Sequence, residues 1–173
     1  MKYSKIEIGI LGGSFDPAHK GHLAISKEAR KRFKLKKIIW AITKKNPLKA
    51  VSKTPVSKRI KDCKKLIGSN TFIKVKFYED TINSNKTIDL INYLKKNKKL
   101  EIFFLMGADN LISFHKWHKS KLITEKCNII VFDRHGYKKN SLKSKTFKKL
   151  NNKTLTFVEF KKVNISSSQL RKI

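Results

Sequence analysis

The chain has 173 residues, of which 39% are hydrophobic, with 42 lysines and arginines against 12 aspartates and glutamates and a formal net charge of +30. That size suits one domain with a real core, and that composition excludes an intrinsically disordered chain. No apolar run approaches the roughly 20 residues of a membrane helix, so no membrane partner is expected.

The first apolar stretch, residues 6–12 (IEIGILG), is short, alternates with charge and runs into glycines. It reads as a β-strand, not a signal peptide. Residues 21–33 read as a helix, with Leu23, Ile25, Ala29 and Phe33 on one broad face. Residues 37–43 (KIIWAIT) read as a second strand. Thr54-Pro55 supplies an N-cap followed by Pro, opening a helix through Ile67 that Gly68 ends. Residues 71–78 (TFIKVKFY) alternate as a half-exposed strand, and residues 87–97 place Ile88, Ile91 and Leu94 on one helical face. Residues 100–106 and 128–132 are short apolar runs of the buried-strand type, and residues 154–160 alternate again. The lysine-rich stretch 138–153 reads as a solvated helix-and-loop connection. Strands alternating with helices predict an α/β domain with a mainly parallel sheet, helices on both faces and ligands at the carboxyl ends of the strands. Cys63 and Cys127 lack metal-ligand spacing and are expected as reduced thiols, which suits a cytoplasmic protein.

Only five of the basic residues are arginine, and the lysines are spread over every segment beside abundant Asn and Ile. Coding bias explains that pattern better than a selected nucleic-acid surface, so no specific nucleic-acid partner is expected. The field should still attract ATP and other polyanions, in a salt-sensitive way.

The chemistry concentrates in the turn after the first strand, GGSFDPAHKGHL at 12–23. Gly12 and Gly13 allow close backbone approach to a ligand, and Gly21 and His22 open a helix whose first amides favour an anion. His19 and His22, three apart at that entrance, can face one phosphate. There is no Walker sequence and no GxGxxG.

GGSFDPAHKGH resembles the signature GGSFDPxHxGH of the HxGH nucleotidyltransferase superfamily. The first histidine, where phosphopantetheine adenylyltransferases usually carry Thr, makes it similar to the bacterial nicotinate-nucleotide adenylyltransferases. Further similarities follow in family order. WAITKKNPLK (40–49) resembles a loop with NPHK, with Leu48 at the His position, and NKTIDLINYL (85–94) resembles YTxDTL, with Lys86 for Tyr. FFLMGADNLISFHKWHKSKLI (103–123) is similar to FxMGADxLxxFxxWxxxxxI. VFDRHGY (131–137) resembles VxxRPGY with His135 for Pro, and NISSSQLRKI (164–173) resembles ISSTxIR with Ser168 for Thr.

The resemblance implies a Rossmann-like, doubly wound fold in a single nucleotidyltransferase domain over 1–173, short at the C-terminus. It implies adenylyl transfer from ATP to nicotinic acid mononucleotide, giving deamido-NAD and pyrophosphate. His19 and His22 would be catalytic. ATP would be held by Gly12, Gly13, Ser14, Phe15, Gly107, Asp109, Ser166, Ser167, Ser168 and Arg171. The mononucleotide would meet Asn46, Lys49, Thr87, Trp117 and Arg134. Mg²⁺ is expected on the ATP phosphates and water, with no site for metal built by the protein alone. Two alternatives remain open at this point: an adenylyltransferase with another acceptor (nicotinamide mononucleotide or phosphopantetheine), and a noncatalytic nucleotide- or nucleic-acid-binding protein on the same fold. Trp117 as a core residue, the serines as a plain helix cap and Asp109 as an N-cap also stay open. The nicotinate-or-nicotinamide preference and the oligomeric state are not legible in the chain.

Overall fold

A computed structural model describes residues 4–45, 51–151 and 153–160. Six strands form one parallel sheet: β1 (Ile6–Gly13), β2 (Lys37–Ile42), β3 (Ile73–Lys76), β4 (Leu100–Gly107), β5 (Asn128–Phe132) and β6 (Leu155–Val158). Their order is β3-β2-β1-β4-β5-β6. The strand order reverses between β1 and β4, and the carboxyl ends of those two strands frame the crevice where this architecture binds ligands.

Period-two alternation sorts the strand side chains onto two faces. Ile8, Ile10, Ile39, Ala41, Ile102, Phe104, Met106, Ile129 and Val131 share one core cluster, which Ile88, Ile91 and Leu94 of α4 (Thr87–Lys95) cover. That cluster also takes in Leu111 of α5 (Ala108–Ser113) and Ile123 of α6 (Ser120–Lys126), with a 3-10 turn at Phe114–Lys116 between those helices. Leu11, Ile38, Trp40, Ile42, Leu105, Ile130 and Phe132 face the other way, under Ala29 of α1 (Lys20–Phe33) and Cys63 of α2 (Val56–Ile67). The second face packs closely over Gly9, where a Cβ would lie 2.6 Å from Cδ1 of Ile38 and force that side chain to move. The doubly wound, parallel α/β arrangement expected from the alternation is the one present. Among the described residues no helix is long and apolar enough to cross a membrane.

Several boundaries differ from the sequence expectation. β3 is four residues long where the alternation of 71–78 suggested eight. It is an edge strand paired only with β2, so the ladder stops at Ala41↔Lys76, and the chain turns into α3 (Glu79–Ile82), which the pattern did not predict. α2 begins one residue late: Pro55, not Thr54, is its N-cap, with no side-chain cap bond. The Thr54 carbonyl accepts instead from Nε of Arg59, at 3.0 Å. The stretch 138–153 is less solvated than expected. It forms α7 (Lys138–Leu142) and α8 (Lys145–Leu150), where Ser141 and Thr146 are buried and Phe147 packs on the core. Both cysteines are free and buried, and burial pushes each thiol up to about 12, so neither is a nucleophile near neutrality.

Candidate active site

The loop joining β1 to α1 leaves the sheet at the reversal point and returns as a helix that begins with its two histidines. His19 is the N-cap of α1. Its Nδ1 accepts from the amide of Gly21 at 3.1 Å, and its own backbone amide donates to Nδ1 of His22 at 3.1 Å. The pair forms a reciprocal capping box in which imidazoles replace the usual hydroxyl and carboxylate. The consequence is chemical. Both Nδ1 atoms act as acceptors, so in each neutral ring the proton resides on Nε2. Two Nε2–H donors are thereby set side by side, with ring centroids 3.9 Å apart. Burial, helped by the Arg134 guanidinium, lowers His19 to about 4, so it donates as a neutral imidazole at physiological pH.

An aromatic floor holds this pair. Phe15 stacks on Trp40 at 5.0 Å and meets His22 at 4.6 Å. The buried indole N–H of Trp40 donates to the Ser26 hydroxyl at 2.8 Å, and that hydroxyl donates to the His22 carbonyl at 2.8 Å. Phe15 takes a left-handed φ of +48°, uncommon outside glycine, and its ring is buried. Asp16, also buried, is hydrogen-bonded by the Ser52 hydroxyl.

Across the reversal point, β4 ends at Gly107. A Cβ there would lie 2.6 Å from Oδ1 of Asp109, so the carboxylate of Asp109 folds back closely over this glycine and would have to shift for any larger residue. Nη1 of Arg134 donates to the other oxygen, Oδ2, at 2.6 Å. The two residues assigned by resemblance to opposite substrates are thus one ion pair, close enough to His19 for Arg134 to depress its pKa.

A second concavity opens beside the loop between β1 and α1. Gly12, Phe104, Thr43, Glu79, Lys86 and Thr87 are among its walls. Thr43 Oγ1 and Glu79 Oε1 are buried there without a hydrogen-bond partner among the described residues. Burial raises the pKa of Glu79, although its other oxygen accepts from the Lys44 amide at 3.1 Å. Lys86 is the N-cap of α4 and makes no side-chain cap bond, so the first amides of that helix and a lysine border this cleft.

The whole architecture has relatives. The cytidylyltransferase-like family model matches residues 10–173. A probable nicotinate-nucleotide adenylyltransferase from Pelagibacter ubique (strain HTCC1062) is 66% identical over all 173 residues, covering 96% of that relative. Another, from Agrobacterium fabrum, is 38% identical over 131 residues, or 75% of this chain and 70% of its own length. The chain belongs to the nicotinate-nucleotide adenylyltransferase family. Its fold is shared with a solved nicotinic acid mononucleotide adenylyltransferase from Plasmodium falciparum complexed with NaAD, at a TM-score of 0.77 and 22% identity, covering 96% of this chain and 82% of that one.

Within this nucleotidyltransferase the structure brings Gly12, Gly13, Ser14, Phe15, His19, His22, Gly107, Asp109 and Arg134 to the carboxyl edge of β1, β4 and β5 and the segments that follow them, with Thr87 at the start of α4 beside Gly12. Trp117 stands edge-on to Phe104 at 5.9 Å and next to Phe114 at 5.1 Å, partly buried against the core, and is not among the residues that line the cleft. Asn46, Lys49, Ser166, Ser167, Ser168 and Arg171 lie outside the described residues. Sequence reading missed Ser26, Trp40, Thr43, Arg59 and Glu79. Only Trp40 carried a usable signal, a bulky indole on a strand next to a glycine loop. The other four are ordinary polar residues until the fold assembles them.

Proposed function

We propose that the chain transfers the AMP part of ATP to nicotinic acid mononucleotide. An oxygen of the mononucleotide phosphate bonds to the α-phosphorus of ATP. The bond from that phosphorus to the oxygen bridging the α- and β-phosphates breaks, and pyrophosphate leaves with the electron pair. The nucleophile is already an anion, so the protein need not remove a proton. Its task is alignment and stabilisation of negative charge. The observation that carries this reading is the tautomer-locked histidine pair. Two Nε2–H donors, oriented by backbone bonds made on Nδ1, sit at a helix N-terminus at the strand-order reversal, where a triphosphate is best received.

Mg²⁺ belongs to this reading as the companion of the triphosphate, where it would neutralise phosphate charge. Among the described residues no group of three His, Cys, Asp or Glu side chains is placed to hold a metal. The two carboxylates nearest the loop are engaged, Asp16 by Ser52 and Asp109 by Arg134. This donor set fits a cation that arrives with ATP and water.

The cleft lined by Gly12, Thr43, Glu79, Lys86, Thr87 and Phe104 is the place for the acceptor. Its apolar walls suit a pyridine ring, and Lys86 with the α4 N-terminus suits a ring carboxylate better than a carboxamide. Pyrophosphate release from Mg-ATP with a panel of acceptors tests the assignment. Nicotinic acid mononucleotide should be preferred over nicotinamide mononucleotide, and phosphopantetheine should be inert. Turnover with phosphopantetheine alone would sink it. In the same assay His22→Ala should lower turnover by about 10²–10³, the cost of losing one such donor.

A further inference from the structure

Arg59 lies on α2, away from the signature loop, yet its side chain is 2% exposed. Among the described residues no carboxylate bonds to its guanidinium. It donates instead to four backbone carbonyls on three separate segments. Nη1 reaches Ser14 O at 2.6 Å and Thr43 O at 2.8 Å, Nη2 reaches Lys44 O at 3.4 Å, and Nε reaches Thr54 O at 3.0 Å. A buried cation is tolerated only where its donors are satisfied, and here backbone satisfies them.

We propose that Arg59 is a positioning residue for adenylyl transfer: one planar guanidinium fixes the phosphate loop, through Ser14, relative to the wall of the acceptor cleft, through Thr43. The inference rests on the adenylyl-transfer reading above. The Ser14–Phe15 peptide is trans, since among the described residues the cis bond is Asp16-Pro17. Anchoring the Ser14 carbonyl on Arg59 therefore turns the Phe15 amide the opposite way. Arg59 on one side and Trp40 on the other hold Phe15 in its left-handed conformation beneath His22. Thr43, gripped by the same Nη1 atom, is the cleft residue whose hydroxyl has no hydrogen-bond partner among the described residues. Displacing the two reactant sites by about 1 Å would cost on the order of 10² in rate while sparing binding to either. A lysine concentrates its three donors on one atom and cannot span three segments.

The test is Arg59→Lys, with Arg59→Gln as the second variant, studied in the cold where folding can be confirmed by near-UV circular dichroism. Amide hydrogen exchange is followed by mass spectrometry. The folded variant should lose roughly 100-fold in kcat, with KM for ATP within about threefold of the parent. Exchange should rise in peptides covering 12–18 and 43–45 and stay unchanged in β4 and β5. A purely structural role would lower Tm and leave kcat per folded molecule intact, and that result overturns the proposal. So does failure of both variants to fold. If the parent chain shows no turnover with nicotinic acid mononucleotide, the functional reading fails, and exchange alone then judges Arg59. Loops as protected in the variant as in the parent would refute the clamp.

Discussion

Burial and the Arg134 guanidinium depress His19 from 6.5 to about 4, and this makes the residue visible in solution. In the unfolded chain it takes up a proton near pH 6.5, whereas in the native chain it stays neutral until about pH 4. The unfolded state therefore binds more protons across that window. Native stability from this residue is complete above pH 6.5 and declines as pH falls toward 4. His19 is partly exposed, so the loss should be on the order of 1 kcal/mol rather than the full linkage value. Thermal melts of the parent and His19→Asn, a residue that can still cap a helix, should converge as pH is lowered from 7 to 4.5. Parallel curves would show that His19 titrates normally. The two histidines were legible as a pair from spacing alone. Their shared tautomer was not, because it depends on which nitrogen each ring turns toward the backbone.

At the scale of elements, α1 is held to the sheet by more than its apolar face. The Trp40 indole on β2 and the His22 carbonyl on α1 both bond to the Ser26 hydroxyl, which is fully buried. Ser26→Ala leaves the indole N–H without its acceptor, which costs about 1–3 kcal/mol. A urea titration followed by Trp fluorescence should show a lower midpoint with an unchanged slope. The floor under His22 loosens with it, so turnover should fall in the folded variant too. An unchanged midpoint would mean that another group satisfies the indole. Helix α1 and strands β1, β2, β4 and β5 could be placed within a residue or so from periodicity and turn chemistry. β3 could not be trimmed correctly, because its ladder with β2 covers only residues 38–41 of that strand, and the alternation of 71–78 carries no sign of where that pairing stops. α2 begins at Val56, with Pro55 as its N-cap, while the Thr54 carbonyl accepts from Nε of Arg59 five positions on, a contact that spacing alone did not show.

The whole molecule carries a charge of +30. Lys27, Arg30, Lys31, Lys34 and Lys36 gather around Phe72 near the end of α1 and the start of β2, far along the sheet from the carboxyl edge. Arg30 lies over the Phe72 ring at 4.5 Å. Single-stranded oligonucleotides should bind at about 50 mM salt without base preference and dissociate by about 200 mM, as counterion release requires. Filter binding across that range checks this. Sequence preference, or retention that ignores salt, would point to a dedicated nucleic-acid partner. Charge of this kind follows from composition, and the fold does little to change it.

The chain's own order of residues determined the alternating α/β plan, the glycine turn after the first strand and the histidines at its exit. These are local signals, read from neighbours a few positions apart. Tertiary structure alone decided the pairing of Asp109 with Arg134, the Trp40–Ser26 support and the grip of Arg59 on Ser14 and Thr43. Those contacts join residues 14 to 45 positions apart, and only packing of the sheet and its helices brings their atoms within bonding distance.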